Sequence, residues 1–194
     1  MKPAADKGAP RRRAVFVDRD GTLNVERRYL RAAEELEFYP GVPEAILRLR
    51  EAGFLVIVVT NQSGVARGYF TLAEVDLVHR RIQSLLARWG TAVDAFYVCP
   101  HHPQGVAPYR LRCSCRKEEA GLLLRAAADF HIDLGGSFMI GDKASDIEAG
   151  RKAGCRPLLV LTGYGKETAQ TITPGSVAVC ADLPQAVQFI LAAQ

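Results

Sequence analysis

A short apolar run, AVFV (Ala14 to Val17), ends in Asp18-Arg19-Asp20-Gly21-Thr22. Two carboxylates one residue apart repel each other, and neither belongs inside a hydrophobic strand. Such a pair calls for a cation between the acids, or for one acid that reacts while the other assists it. A second group of reactive side chains lies in CPHHPQGVAPYRLRCSCRK (Cys99 to Lys117). Cys99-x-His101 and, after eleven intervening residues, Cys113-x-Cys115 offer three thiolates and one imidazole, enough for a tetrahedral zinc ion. His102 competes with His101 for the fourth ligand position; His101 is favoured because the two pairs then mirror each other. Pro100, Pro103, Gly105 and Pro108 keep this stretch from regular structure, so the loop over 99–116 needs such a staple.

Both groups need elements to hold them. AVFV and FLVIVVT (Phe54 to Thr60) read as buried strands, with DAFYV (Asp94 to Val98), SFMIG (Ser137 to Gly141), PLLVL (Pro157 to Leu161) and VAVC (Val177 to Cys180) as further strands. Between them, GVPEAILRLREAG (Gly41 to Gly53) puts Val42, Ala45, Ile46 and Leu49 on one helical face. A second helix starts at Thr71, an N-cap with Glu74 three residues on, and runs to about Trp89. Further helices fit 120–130, 145–153 and 183–192. Alternating strands and helices imply right-handed crossovers, hence an α/β, Rossmann-like, doubly wound parallel sheet. Ligands of such sheets gather beyond the C-terminal strand ends. Asp18, Thr60, Cys99 and Asp142 each follow a strand and so share one rim.

Four pieces on that rim occur in a telling order: Asp18-Arg19-Asp20-Gly21-Thr22, Thr60-Asn61-Gln62-Ser63-Gly64, Arg116-Lys117, and Gly141-Asp142-Lys143 with Asp146. They resemble the four motifs of the haloacid-dehalogenase-like phosphatases, over about residues 14–165. The resemblance implies a Mg²⁺-dependent phosphomonoester hydrolase. A phosphate monoester carries nearly two negative charges and repels an approaching carboxylate; Mg²⁺ removes that repulsion and prefers oxygen ligands. Asp18 and Asp142 would supply carboxylate oxygens and Asp20 its backbone carbonyl. Asp18 would be the nucleophile, forming an aspartyl-phosphate, with Asp20 as proton carrier. Thr60 and the N–H of Asn61 would hold the phosphoryl oxygens, Lys117 would stabilise developing charge, and Asp146 would orient Lys117 or a water.

The cysteine loop, with VTNQSG-ARG-F-T (Val59 to Thr71) and MIGD-K--D (Met139 to Asp146), resembles more narrowly the family of D-glycero-D-manno-heptose-1,7-bisphosphate 7-phosphatases. That resemblance implies no large cap domain and a structural Zn²⁺ whose loop delivers Arg116 and Lys117. The substrate would be a small phosphosugar on the route to heptose nucleotides and lipopolysaccharide precursors. Glu26, Arg27, Arg28 and Tyr29 would contact it, with Thr60, Asn61, Gln62, Ser63, Arg116, Lys117 and Lys143. Glu118 stands where the family usually has proline. Histidinol-phosphate phosphatases share a zinc loop, usually a shorter one, and a DNA 3′-phosphatase shares the Thr-Asn-Gln element. A non-catalytic zinc-binding protein on the same fold is the alternative from another class.

Composition sets the bounds. Of 194 residues, 48% are apolar and 24% charged, as in ordinary globular domains. The net charge of +4 resides in residues 1–13, expected as a disordered basic tail; the body, 14–194, is one domain with equal numbers of acids and bases. A neutral body speaks against nucleic acid as a partner. The N-terminus has no apolar h-region, and no apolar run approaches the ~18 residues of a membrane span. A cytoplasmic monomer with reduced cysteines is expected. Cys155 and Cys180 read as small core residues, and His79 and His131 as surface or helix-end residues.

Overall fold

A computed structural model describes residues 11–193. Six parallel strands form the sheet: β1 (Ala14–Val17), β2 (Leu55–Asn61), β3 (Ala95–Cys99), β4 (Phe138–Gly141), β5 (Arg156–Val160) and β6 (Ala178–Cys180). Their order is β3-β2-β1-β4-β5-β6. The helices are α1 (Val42–Glu51), α2 (Ser63–Ala66), α3 (Leu72–Ala87), α4 (Gly121–Phe130), α5 (Ala144–Ala153), α6 (Gly165–Thr171) and α7 (Leu183–Ala192).

The central strands are apolar throughout because both sheet faces are covered. Val15, Val17, Val56, Val58 and Ile140 pack on the side of α1, α3 and α7. Phe16, Ile57, Val59 and Met139 pack on the other side, against α4 and α5. Side chains alternate between the two cores because successive Cβ atoms leave a strand on opposite faces. On α1, Val42, Ala45, Ile46 and Leu49 are buried, and Gly53 follows the helix with φ 83°. Thr71 and Glu74 close the capping box at the start of α3: Glu74 N donates to Thr71 Oγ1 and Thr71 N to Glu74 Oε2.

Strand order makes the chain reverse direction across the sheet between β1 and β4. Val17 pairs on one side with Val58 and on the other with Ile140. The residues that follow β1 and β4 therefore emerge side by side at the switch point, where such sheets bind ligands. The segment from residue 18 to 41 holds only a 3-10 turn, Ala33–Glu35, and isolated bridges of Asn24 with Asp20 and Phe38, so this segment builds no cap domain over that rim.

Two expectations change, and two short helices are added. Arg12 and Arg13, placed in the tail, are tied to the body: Arg12 N donates to His131 O, and the Arg13 guanidinium lies 4.6 Å from the Phe54 ring centre. Residues 1–10 of that expected tail lie outside the described residues. His79 is not a surface residue but is buried on α3, where its ring stacks on Phe96. The two short helices α2 and α6 carry too few turns to show a helical period in sequence. Among the described residues, no helix is long and apolar enough to cross a membrane.

Candidate active site

Asp18 leaves β1 with its N–H donating to Ile140 O at 2.9 Å, which draws the turn against β4. Its carboxylate accepts from the backbone N–H of Arg19 and forms a close ion pair with Lys117 Nζ. Lys117 also meets Asp146 Oδ1 at 2.8 Å. Burial alone would lower the pKa of Lys117, but the charges of Asp146 and Asp18 outweigh it and keep the ammonium protonated. The other oxygen of Asp146 accepts from Lys143 N at 3.0 Å, so one carboxylate both caps the start of α5 and anchors Lys117.

Asp142 follows β4, fully buried, and its Oδ2 accepts from Tyr164 N at 2.8 Å. Its Oδ1 has no hydrogen-bond partner. One carboxylate oxygen each from Asp18, Asp142 and Asp146 falls within 4.8 Å of the others. Burial and then the charge of Asp18 push the Asp142 carboxyl up to about 8. A buried carboxylate oxygen with no hydrogen bond, its nearest cation the Lys143 ammonium at 3.8 Å, beside other acids fits a hard divalent cation with oxygen ligands, such as magnesium. Gly21 has φ 91°, and the space a Cβ would take there belongs to the Asp142 carboxylate. Only glycine brings this backbone so close to the acids.

Asp20 faces elsewhere. Arg19 grips both its oxygens, Asn24 Nδ2 donates to Oδ1 at 3.0 Å, and Gln62 Nε2 donates to Oδ2 at 2.9 Å. Burial would raise its pKa, but Arg19 and these donors together hold it below the usual carboxylate range. Gln62 also donates to Thr60 Oγ1 at 2.8 Å, which leaves the Thr60 hydroxyl proton free to be donated in turn.

The cysteine loop closes on itself. Cys115 Sγ lies 3.0 Å from Cys113 Sγ, 3.3 Å from Cys99 Sγ and 3.2 Å from His101 Nδ1. His101 is the histidine that faces the thiols; His102 turns away, with Nε2 3.3 Å from Arg67 and Nδ1 accepting from Gln104 N. Three free thiols and an imidazole in mutual contact fit a zinc ion by donor softness and number. The loop then hands on to the acid cluster. Lys117 N donates to Asn61 Oδ1, and Arg116 Nη1 donates to His101 O.

A family model described as HAD-hyrolase-like matches residues 114–186. The D-glycero-beta-D-manno-heptose-1,7-bisphosphate 7-phosphatase of Escherichia coli (strain K12) is 42% identical over 178 residues, 90% of this chain and 93% of that protein. The D-glycero-D-manno-heptose-1,7-bisphosphate 7-phosphatase of Thermosynechococcus vestitus is 46% identical over 79% of this chain and 81% of its own length. Among solved structures, D,D-heptose 1,7-bisphosphate phosphatase from B. bronchiseptica, complexed with magnesium and phosphate, superposes with a TM-score of 0.85 at 35% identity, covering 94% of this chain and 99% of that one. The chain belongs to the D-glycero-D-manno-heptose-1,7-bisphosphate 7-phosphatase family.

In this member of the heptose-bisphosphate phosphatase family, a cleft of about 520 Å³ opens over Asp20. Of the side chains read as substrate contacts, Glu26, Arg28, Tyr29, Asn61, Gln62, Ser63, Arg116 and Lys143 line it. Arg27 does not: its guanidinium pairs with Glu37 at 2.9 Å, both ends well exposed. Thr60 and Lys117 are at most 3% exposed, buried with the acid cluster. Gln62 and Asn61 spend their side-chain amides inside the protein, on Asp20 and Thr60 and on the Lys117 backbone. Glu26 meets Lys143 Nζ at 3.1 Å, and Arg28 is held at φ 60°, a conformation rare for a residue with a Cβ.

Sequence reading missed three participants. Glu118, at the usual proline position of the phosphatase family, lines the cleft and pairs with Arg116 at 3.3 Å. Tyr164 lines it as well, its ring 4.7 Å from Lys143 Nζ. LTGYG (Leu161 to Gly165) follows a strand as the other motifs do, and that position was the available signal. The third, Arg19, lay in plain view between the two acids.

Proposed function

We propose that this chain hydrolyses the 7-phosphate of heptose 1,7-bisphosphate through an aspartyl-phosphate on Asp18, a step toward heptose nucleotides and lipopolysaccharide precursors. One observation carries the reading. Two carboxylates one residue apart are sorted to different partners, Asp18 to Lys117 within the acid cluster and Asp20 to a neutralising Arg19 at the cleft. The substrate comes from the relatives, whose names specify the heptose bisphosphate.

Asp18 attacks phosphorus in line, and the bond from phosphorus to the sugar oxygen breaks as Asp20 protonates that oxygen. Water then attacks the aspartyl-phosphate; Asp20 takes its proton and Asp18 is regenerated. Lys117 and the Thr60 hydroxyl hold the phosphoryl oxygens, and Arg116 and Arg28 meet phosphate or sugar hydroxyls at the cleft wall. Magnesium held by Asp18, Asp142 and the Asp20 carbonyl would offset the repulsion between the substrate dianion and these acids. Cys99, His101, Cys113 and Cys115 would hold the zinc ion, which would fix the loop that presents Arg116 and Lys117.

Two measurements test this reading. Turnover of the α and β anomers of heptose 1,7-bisphosphate and of histidinol phosphate is compared in one assay; a heptose anomer is expected to lead by at least about tenfold. Histidinol phosphate in first place would transfer the assignment to the neighbouring zinc-loop phosphatases. Separately, zinc-loaded protein freed of magnesium is expected to be nearly inactive and to recover on adding Mg²⁺, whereas Asp142→Asn should need far more Mg²⁺ for the same rate. Full activity without magnesium would remove the cation from the scheme.

A further inference from the structure

Between the two acids lies a cation to which the reaction above gives no task. Arg19 is 1% exposed and has the largest of the fully buried side chains. Its Nε donates to Asp20 Oδ1 at 3.1 Å and its Nη2 to Asp20 Oδ2 at 2.7 Å. Two parallel bonds of this kind fix the plane of a carboxylate as well as its place. The remaining edge of the guanidinium faces α3, where Nη1 lies 3.5 Å from His79 Nε2. The His79 ring is 6% exposed and stacks on Phe96 of β3, with centroids 4.2 Å apart and planes inclined by 12°.

A guanidinium only donates, so the nitrogen facing it must carry a lone pair, and the ring proton belongs on Nδ1. Burial, and after it the charge of Arg19, hold the imidazole pKa down at about 3, so His79 stays neutral and accepting. Phe96 fixes the ring from behind. We propose that His79 is a positioning residue for proton transfer: by receiving Nη1 of Arg19 it orients the guanidinium, whose opposite edge aims the Asp20 carboxylate at the leaving oxygen. The inference rests on Asp20 being the proton carrier. Asn24 and Gln62 also hold Asp20, so loss of the imidazole loosens the aim without freeing the carboxylate altogether.

His79→Phe keeps a ring against Phe96 but leaves Arg19 without its acceptor; His79→Gln supplies an amide oxygen. The first-turnover release of the leaving group is measured with heptose 1,7-bisphosphate, whose alkoxide needs a proton, and with p-nitrophenyl phosphate, whose phenolate does not. For His79→Phe, sugar release is expected to slow by about tenfold to a hundredfold and nitrophenol release by less than about threefold, with KM little changed. His79→Gln should regain much of the loss. Asp20→Asn in the same assay separates the two layers of the proposal. If it slows both substrates equally, Asp20 is not the proton carrier and the inference falls with it. If it is selective while His79→Phe slows both alike, or neither, His79 does not position the acid.

Discussion

Asp18→Asn is expected to lower phosphate release by on the order of 10⁴-fold or more while the protein folds as well as before. An amide oxygen is a poor nucleophile, and nothing else beside Lys117 replaces it: Asp146 holds the ammonium from the other side at 2.8 Å and also caps α5. Stability should not suffer. Asp18, Asp142 and Asp146 crowd their carboxylates within 4.8 Å, and the charge of Asp18 helps push Asp142 up to about 8. Removing one of three like charges relieves that repulsion, while Lys117 keeps its pair with Asp146. Steady-state phosphate release with a thermal melt measures both halves. Turnover within tenfold of the parent would deprive Asp18 of the nucleophile's role.

Cys115→Ala tests the loop. Cys115 sits at the centre of the sulfur cluster, within 3.3 Å of Cys113, Cys99 and His101, and two residues before Lys117. Metal analysis of the parent should find about one zinc per chain, and of the variant almost none. Turnover is expected to fall by about a hundredfold, the scale of loss when a catalytic group is misplaced by about 1 Å. Once the loop loosens, Lys117 keeps its ion pairs with Asp18 and Asp146 and its backbone contacts with Asn61 and Ala120, but the residues that lead into it lose their staple. A parent that holds no zinc after purification with zinc present would refute the staple, as would a zinc-free variant of full activity.

Much of the scaffold was legible because its signals are local. A buried parallel strand is apolar on both faces and short, and all six were visible as such runs, though the ends of five shifted by a residue: Asn61 and Cys99 belong to β2 and β3. Thr71 with Glu74 announced α3, since a capping box needs only four consecutive residues. The four-residue span of Glu26 to Tyr29 was less readable. Arg27 and Arg28 are adjacent and chemically alike, yet one pairs with Glu37 outside and the other lines the cleft. A positive φ at Arg28 separates them, and composition does not announce a backbone dihedral.

Residue types and their order were enough to mark the acids, the lysine and the thiols as one rim, because strand ends in a doubly wound sheet converge whatever the details of packing. The folded chain gives the physical ground for favouring His101 over His102, since both have the chemistry and one faces the sulfurs. It also decided that Arg19 is buried against His79, a residue 60 positions away on another element. Periodicity reports which way a side chain leaves its own helix or strand. Which side chain waits for it there depends on strand order and helix packing, and those arise from contacts far apart along the sequence.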